Sequence, residues 1–131
     1  MLVEPIGRVR NTAEAKVDLD DLISEIEVFP EFAEGLYRIE ESRELLILFA
    51  FDRSSSYQMH VHPHGDLRNP EVGVFASRSP NRPNFIGVTQ VELLRRAGNL
   101  LTVKGLDALN GTPVIDIKPV VGHDLADTSH K

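Results

Sequence analysis

The longest apolar run in the chain is Leu45-Leu46-Ile47-Leu48-Phe49-Ala50-Phe51. Seven residues are far fewer than the roughly 20 needed to cross a bilayer as a helix. They match one buried strand carrying branched and aromatic side chains. The segments around this run have the same short scale. Residues 2–10, LVEPIGRVR, read as a strand in which Gly7 marks a bulge or a close backbone approach. Residues 19–29 are ambiguous. Leu19, Leu22, Ile23 and Ile26 fit a helical face, whereas Ile26-Glu27-Val28-Phe29 fits a strand entering the turn at Pro30. Pro30 to Leu36 reads as one helical turn stopped by Gly35. Tyr57–Val61 and Val72–Ala76 read as strands separated by the turn residues HPHGDLRNP.

Residues 77–85, SRSPNRPNF, hold two prolines and two asparagines and read as an ordered loop. Gly87–Leu94 alternates apolar and polar residues at strand period. Leu100–Leu106 and Pro113–Ile117 complete the set. Asn110-Gly111 lies between them, and Asn-Gly is a strong hairpin signal. Many short strands with regular turns predict a mostly β fold: a single antiparallel β-barrel with short helical segments, one domain over residues 1–131. Its expected core comprises Leu46, Leu48, Val74, Ile86, Val91 and Ile115.

The composition, 41% hydrophobic and 26% charged over 131 residues, is that of an ordinary soluble domain and excludes wholesale disorder. The absence of cysteine excludes disulfides, thiolate metal sites and a cysteine nucleophile. The N-terminus MLVEPIGRVR lacks the basic and apolar regions of a signal peptide, so a cytoplasmic location is expected. A net charge of −6 counts against a simple electrostatic nucleic-acid binder. The charge is uneven, however. Ala13 to Glu44 carries eleven acids and three bases, whereas Arg68 to Lys104 carries six bases and two acids. The second stretch suits an anionic ligand or a limited nucleic-acid contact, or is simply a solvated surface.

Three constellations can carry chemistry. Arg78 and Arg82 sit four residues apart in the proline-stiffened loop, where a planar fork of donors suits carboxylate or phosphate. The same arginines can instead bond local carbonyls. His60, His62 and His64, or two of them with Asp66, have spacing that a divalent metal can use. Pro63 interrupts the strand geometry and no fourth ligand is evident, so no metal is expected. A single histidine acting as general base, or plain turn and surface histidines, account for the same residues. Asp107 and Asp116 follow strands, where carboxylates hold ribose hydroxyls, amines or arginines, or close turns onto backbone amides. Glycine-rich phosphate loops, Gly-x-Ser-x-Gly and His-Glu-x-x-His are all missing. An enzyme built on this chain would work largely by positioning.

The string GVFASRSPNRPNFIGVTQVELL, followed by LDALNGTPVIDIKP, resembles the TsaA-like family, also called TrmO. The family pattern runs roughly GVFATRSPxRPNPIGxS…L and then LDxxDGTPVxDIKPY. Ile6-Gly7-Arg8-Val9-Arg10, Glu34-Gly35-Leu36 and Leu46–Asp52 match as well, so the resemblance covers about residues 5 to 120. It implies a β-barrel methyltransferase that uses S-adenosyl-L-methionine and forms a homodimer with the cofactor near the subunit interface. The implied substrate is tRNA, methylated at N6 of threonylcarbamoyladenosine beside the anticodon. By position, the resemblance implies cofactor contacts from Asp52, Arg53 and Arg78. It also implies Val88 against the adenine after a turn at Gly87, and backbone and carboxylate contacts from Lys104, Gly105, Leu106 and Asp107. Arg82 and Asn84 would brace the loop or face the substrate.

The chain departs from the pattern at Phe85, where proline is usual, and at Asn110, where aspartate is usual. Residues 11–25 are acidic and lack the Pro-Arg-x-x-Pro-Gly-like segment that helps enclose the cofactor, and the C-terminal domain of the larger bacterial members is not matched. Against a tRNA methyltransferase stands a second expectation of another class. It is a cofactor-binding module, or a small-metabolite methyltransferase of the same fold, without tRNA activity.

Overall fold

A computed structural model describes residues 1–11, 21–51 and 56–121. Its strands are β1 (Gly7–Arg10), β2 (Ile23–Val28), β3 (Glu44–Ala50), β4 (His60–Val61), β5 (Val72–Gly73), β6 (Ile86–Ala97), β7 (Leu100–Lys104) and β8 (Pro113–Pro119). Six of them close into a barrel in the order β1-β2-β7-β6-β3-β8, and β4 and β5 form a separate two-stranded sheet. Every neighbouring pair is antiparallel. Short 3₁₀ turns occupy Pro30–Leu36, Ile39–Glu41, Pro63–Gly65 and Val74–Ala76. The expected mostly β barrel with short helical segments is therefore what forms. Among the described residues no helix is long and apolar enough to cross a membrane.

The ambiguous stretch 19–29 resolves as strand from Ile23 onward, with Ser24, Ile26 and Val28 buried at period two. Residues 12–20 lie outside the described set. The expected strands at 57–61 and 72–76 shrink to two residues each, because the chain turns into a 3₁₀ turn at Val74.

The core needs four corrections. In β3 the inward residues are Leu45, Ile47 and Phe49, whereas Leu46 and Leu48 face outward and are half-buried. An uninterrupted apolar run carries no alternation to set its phase, and a one-residue slip exchanges the faces. Ile86 is exposed, because in β6 the odd-numbered Gly87 and Val91 point inward. Ile115 is half-buried at a bulge. Leu48 pairs with Asp116 and Phe49 with Val114, which leaves Ile115 as the extra residue while Val114 is fully buried. Val74 and Val91 are buried as expected.

The expected hairpin at Asn110-Gly111 does not form. β7 pairs with β2 and β6, and β8 with β1 and β3. The favoured two-residue hairpin turn requires positive φ at both central residues, and here Gly111 (φ 87) has it while Asn110 does not. The turn closes through Thr112 N–H to Leu109 O (3.1 Å) and is tied to β1 by Gly111 N–H to Val9 O (2.8 Å). It therefore crosses the barrel mouth between strands that do not pair.

Gly7 is a close approach. A Cβ there would overlap the backbone carbonyl of Glu27 in the paired strand β2, and backbone cannot give way as a side chain tip can. Gly7→Ala is expected to cost about 1–3 kcal/mol, the usual range for overpacking. Gly35→Ala, with nothing near its added methyl, should stay within about 0.5 kcal/mol of wild type. Paired urea denaturation curves check both, and a tolerant Gly7 would mean that the two strands separate freely at that register.

Because neighbours run antiparallel, the two rims collect different parts of the chain. One rim joins the ends of β1, β3 and β7 to the starts of β2, β6 and β8, as shown by the pairs Ile23–Lys104, Ala50–Ile86 and Arg8–Pro113. The opposite rim carries the turns at 30–41. There Arg96 clamps them through Nη1 to Leu36 O and Glu40 Oε1, both 3.0 Å.

Candidate functional site

The sequence singled out residues scattered from 78 to 107, and the topology brings them to the first rim. The loop 77–85 enters β6 there, and Lys104–Asp107 leave β7 there. Asp52 and Arg53 lie outside the described residues. A cleft of about 230 Å³ lined by Tyr37, Arg38, Ile39, Ser42, Leu45, Ile117 and Pro119 involves none of the singled-out residues and lies toward the opposite rim.

The loop is built by its own serines. Ser77 Oγ donates to Val74 O (2.8 Å) and accepts from Ser79 N–H (3.3 Å). Ser79 Oγ accepts from Asn81 N–H (3.1 Å). Such local side-chain bonds substitute for a strand ladder in a loop. Gln58 N–H to Asn81 O (3.1 Å) and Phe51 N–H to Phe85 O (2.7 Å) fasten the loop to neighbouring chain. Phe85, where the family pattern has proline, is thus held through its carbonyl, which proline also possesses. Asn84 is exposed, and its carbonyl accepts from Ile86 N–H at 2.7 Å.

The two arginines are used differently. Arg78 is exposed and reaches Val88 O with Nη1 at 3.2 Å. Arg82 is half-buried and gives Nη1 to both Ser77 O (3.1 Å) and Ser79 O (2.9 Å). Among the described residues Arg8, Arg10, Arg38, Arg68, Arg96, Lys104 and Lys118 each face a carboxylate within 4 Å. Among the same residues Arg43 and Arg95 face no carboxylate within 4 Å, Arg95 meeting the Thr102 hydroxyl. Arg78 and Arg82 face neutral carbonyls, so two uncancelled charges share one loop.

Gly87 belongs to β6 and does not form the turn the resemblance implied. A Cβ on it would lie 2.6 Å from Phe51 Cζ and 2.8 Å from the Phe49 ring. Those two rings meet edge to face with centroids 5.3 Å apart. Glycine here lets the pair seat the end of β3. Val88 pairs with Leu48 on the outer face of the barrel, beneath Arg78.

The second motif forms the other side of the rim. Gly105 (φ 92) turns the chain and bonds Leu22 O through its N–H (3.0 Å). Leu106 is fully buried in the core, so toward a ligand it offers backbone alone. Asp107 is exposed between the buried Leu106 and Ala108 and has no bonding partner among the described residues. The next residue, Ala108, is held by Asn11, whose Nδ2 donates to Ala108 O (3.0 Å) and to the buried Ser24 Oγ (2.9 Å). Asn110 Oδ1 accepts from Asn11 N–H (3.0 Å), a role that the aspartate of the family pattern fills equally well. Asn11 was missed from sequence, and its position one residue past a strand is the sole signal that marks it. Lys104 Nζ lies 3.8 Å from Asp21.

The histidines fall on a tight turn. His62 Nδ1 lies 2.9 Å from Asn69 O, and because a carbonyl only accepts, Nδ1 carries the proton. His64 sits at the tip with φ 60. Among the described residues no group of three His, Asp or Glu side chains converges to hold a metal. Asp66 is bound by Arg68, whose side-chain bonds and backbone N–H hold the carboxyl below its usual range. That clasp is fully formed above the ordinary carboxylate pKa and is lost as pH falls through the lowered one.

Compared with known proteins, residues 10–124 match the model of the tRNA-methyltransferase O N-terminal domain. An S-adenosyl-L-methionine-binding protein of Archaeoglobus fulgidus is 43% identical, covering 90% of this chain and 88% of that protein. A tRNA (adenine(37)-N6)-methyltransferase of Mus musculus is 33% identical over 92% of this chain. The crystal structure of TrmO from Pseudomonas aeruginosa superposes with a TM-score of 0.77 at 31% identity, covering 98% of this chain. The chain spans 31% of the mouse protein, 58% of the Pseudomonas chain and 25% of a second, 57% identical Archaeoglobus relative. The motifs, the closed barrel and these matches agree that the chain belongs to the tRNA-methyltransferase O N-terminal domain family.

Proposed function

We propose that this chain binds S-adenosyl-L-methionine at the rim bearing Arg78 and Asp107, and transfers its methyl group to N6 of threonylcarbamoyladenosine beside the anticodon of tRNA. The donor set fits the cofactor. The Arg78 fork suits its carboxylate, the Asp107 carboxylate, unpartnered among the described residues, suits ribose hydroxyls or the ammonium group, and the outer Leu48–Val88 pair offers an apolar wall to the adenine. When bound, the cofactor supplies a methyl group already activated on a sulfonium. The chain's own task is to hold donor and acceptor in line, which agrees with the absence of hydrolytic or metal motifs. The observation that carries the reading is the uncancelled charge of Arg78 and Arg82 in one loop of an otherwise acidic chain. A cytoplasmic location goes with a tRNA substrate.

Calorimetry with S-adenosyl-L-methionine, followed by mass spectrometry of tRNA incubated with protein and cofactor, tests this. Binding together with a methyl mass on the modified adenosine is expected. Binding without transfer to tRNA would instead favour the cofactor-binding module or a small-metabolite methyltransferase, and the acidic segment 11–25 motivates that second reading.

The protein is also proposed to be a homodimer. Leu46, Leu48, Val88 and Ile115 lie half-buried on the outer wall of β3, β6 and β8, and Ile86 is exposed beside them. Leu48 and Val88 would serve the adenine, whereas Leu46, Ile86 and Ile115 extend the apolar wall beyond them, as a surface covered by a second copy would require. Light scattering at micromolar concentration should give twice the 14.6 kDa chain mass, and a monomeric mass would end this part of the proposal.

A further inference from the structure

Arg82 has a separable role. Its Nη1 spends both hydrogens on the carbonyls of Ser77 and Ser79, closing a small ring of chain around the guanidinium. Its own N–H bonds Pro80 O at 2.9 Å, so the residue is fastened at both backbone and side chain. Residue 78 lies between the two carbonyls that Nη1 grips. The direction in which Arg78 leaves the backbone is therefore set by bonds that Arg82 makes on either side of it. Among the described residues the Arg78 side chain makes one bond, at 3.2 Å, and it can re-aim if those carbonyls turn.

We infer that Arg82 is the positioning residue of this loop, acting on the bound ligand through Arg78. The inference rests on the S-adenosyl-L-methionine reading for the identity of that ligand, while the bracing itself does not. A guanidinium offers five fixed donors, of which three remain on Arg82 after the two loop bonds. Direct contact with the ligand is thus the alternative that the experiment must separate. Lysine provides a point charge on a flexible stem and does not reproduce the planar grip.

The test uses the full chain and two readouts. Amide exchange, followed by NMR without any ligand, should accelerate at least tenfold at Ser79, Asn81 and Arg82 in Arg82→Gln, and by an intermediate factor in Arg82→Lys. Barrel amides such as Ile47 should be unchanged. Unaltered exchange in the loop would overturn the bracing whether or not the cofactor binds.

The second readout is a double-mutant cycle on the dissociation constant for S-adenosyl-L-methionine. Arg82→Gln alone should weaken binding at least fivefold, but less than twofold once Arg78 is alanine. The same loss in both backgrounds would show Arg82 touching the ligand itself and overturn the positioning role. If the wild-type chain gives no binding heat, the cofactor reading fails and takes with it the action through Arg78, while the exchange result still decides the brace.

Discussion

Ile47→Ala should cost about 2–5 kcal/mol of folding stability, the range for emptying a large aliphatic site in a core. Ile47 is 0% exposed. It faces the barrel axis between Thr89 of β6 and Ile117 of β8, where two neighbouring strands prevent the wall from collapsing into the void. A domain of this size has only about 5–15 kcal/mol in total, so the variant should unfold at distinctly lower urea concentration. Leu46→Ala, one residue away in the same apolar run, removes a side chain of equal size from the outer wall and should cost less than half as much in the isolated protomer. If a second copy covers that wall, the Leu46 penalty should grow with protein concentration while the Ile47 penalty does not. Equal losses at low concentration would mean that the strand's two faces have been assigned the wrong way round.

That pair of residues also shows how far a sequence reaches. The run 45–51 announces a buried strand but conceals its phase, because every residue in it is apolar. A usable signal lay outside the run, since Glu44 and Asp52 flank it at even positions and mark the even face as the wet one. Nothing comparable disclosed the bulge at Ile115, which depends on how β8 meets β3. Asn110-Gly111 was recognisable as a turn, yet whether the two strands it joins also pair depends on the strand order of the barrel, and the turn's φ angles and bonds to β1 accompany that order. Closure of the barrel likewise follows from pairings between strands distant in sequence, such as β1 with β8.

The candidate site was legible in a different way. The two long motifs located the loop 77–85 and the segment 104–107, and antiparallel closure brings both to one rim. What residue types left open was the division of labour. Both arginines had the same two readings, as ligand contacts or as braces. The serines at 77 and 79 supply the local bonds that shape the loop and so present its carbonyls to Arg82. Leu106 stood within the second motif, but its side chain belongs to the core. Asp107 stays available because both its neighbours are anchored.

Arg78→Ala should weaken S-adenosyl-L-methionine binding by roughly tenfold to hundredfold. The lost interaction is a charge-assisted hydrogen bond, worth about 1.5–3 kcal/mol, and every 1.4 kcal/mol is about tenfold in affinity. Folding should change by no more than about 0.5 kcal/mol, as for surface substitutions generally. The side chain is exposed and contributes one 3.2 Å bond to Val88 O, and Val88 keeps its place through its pairing with Leu48. Arg78→Lys should restore part of the affinity, since the charge returns without the planar fork. Calorimetry and thermal melting on the same preparations separate the outcomes. An alanine variant that binds the cofactor as tightly as wild type but melts many degrees lower would make Arg78 a brace for the β6 wall. The anionic end of the ligand would then have to be sought at another cation of the same rim.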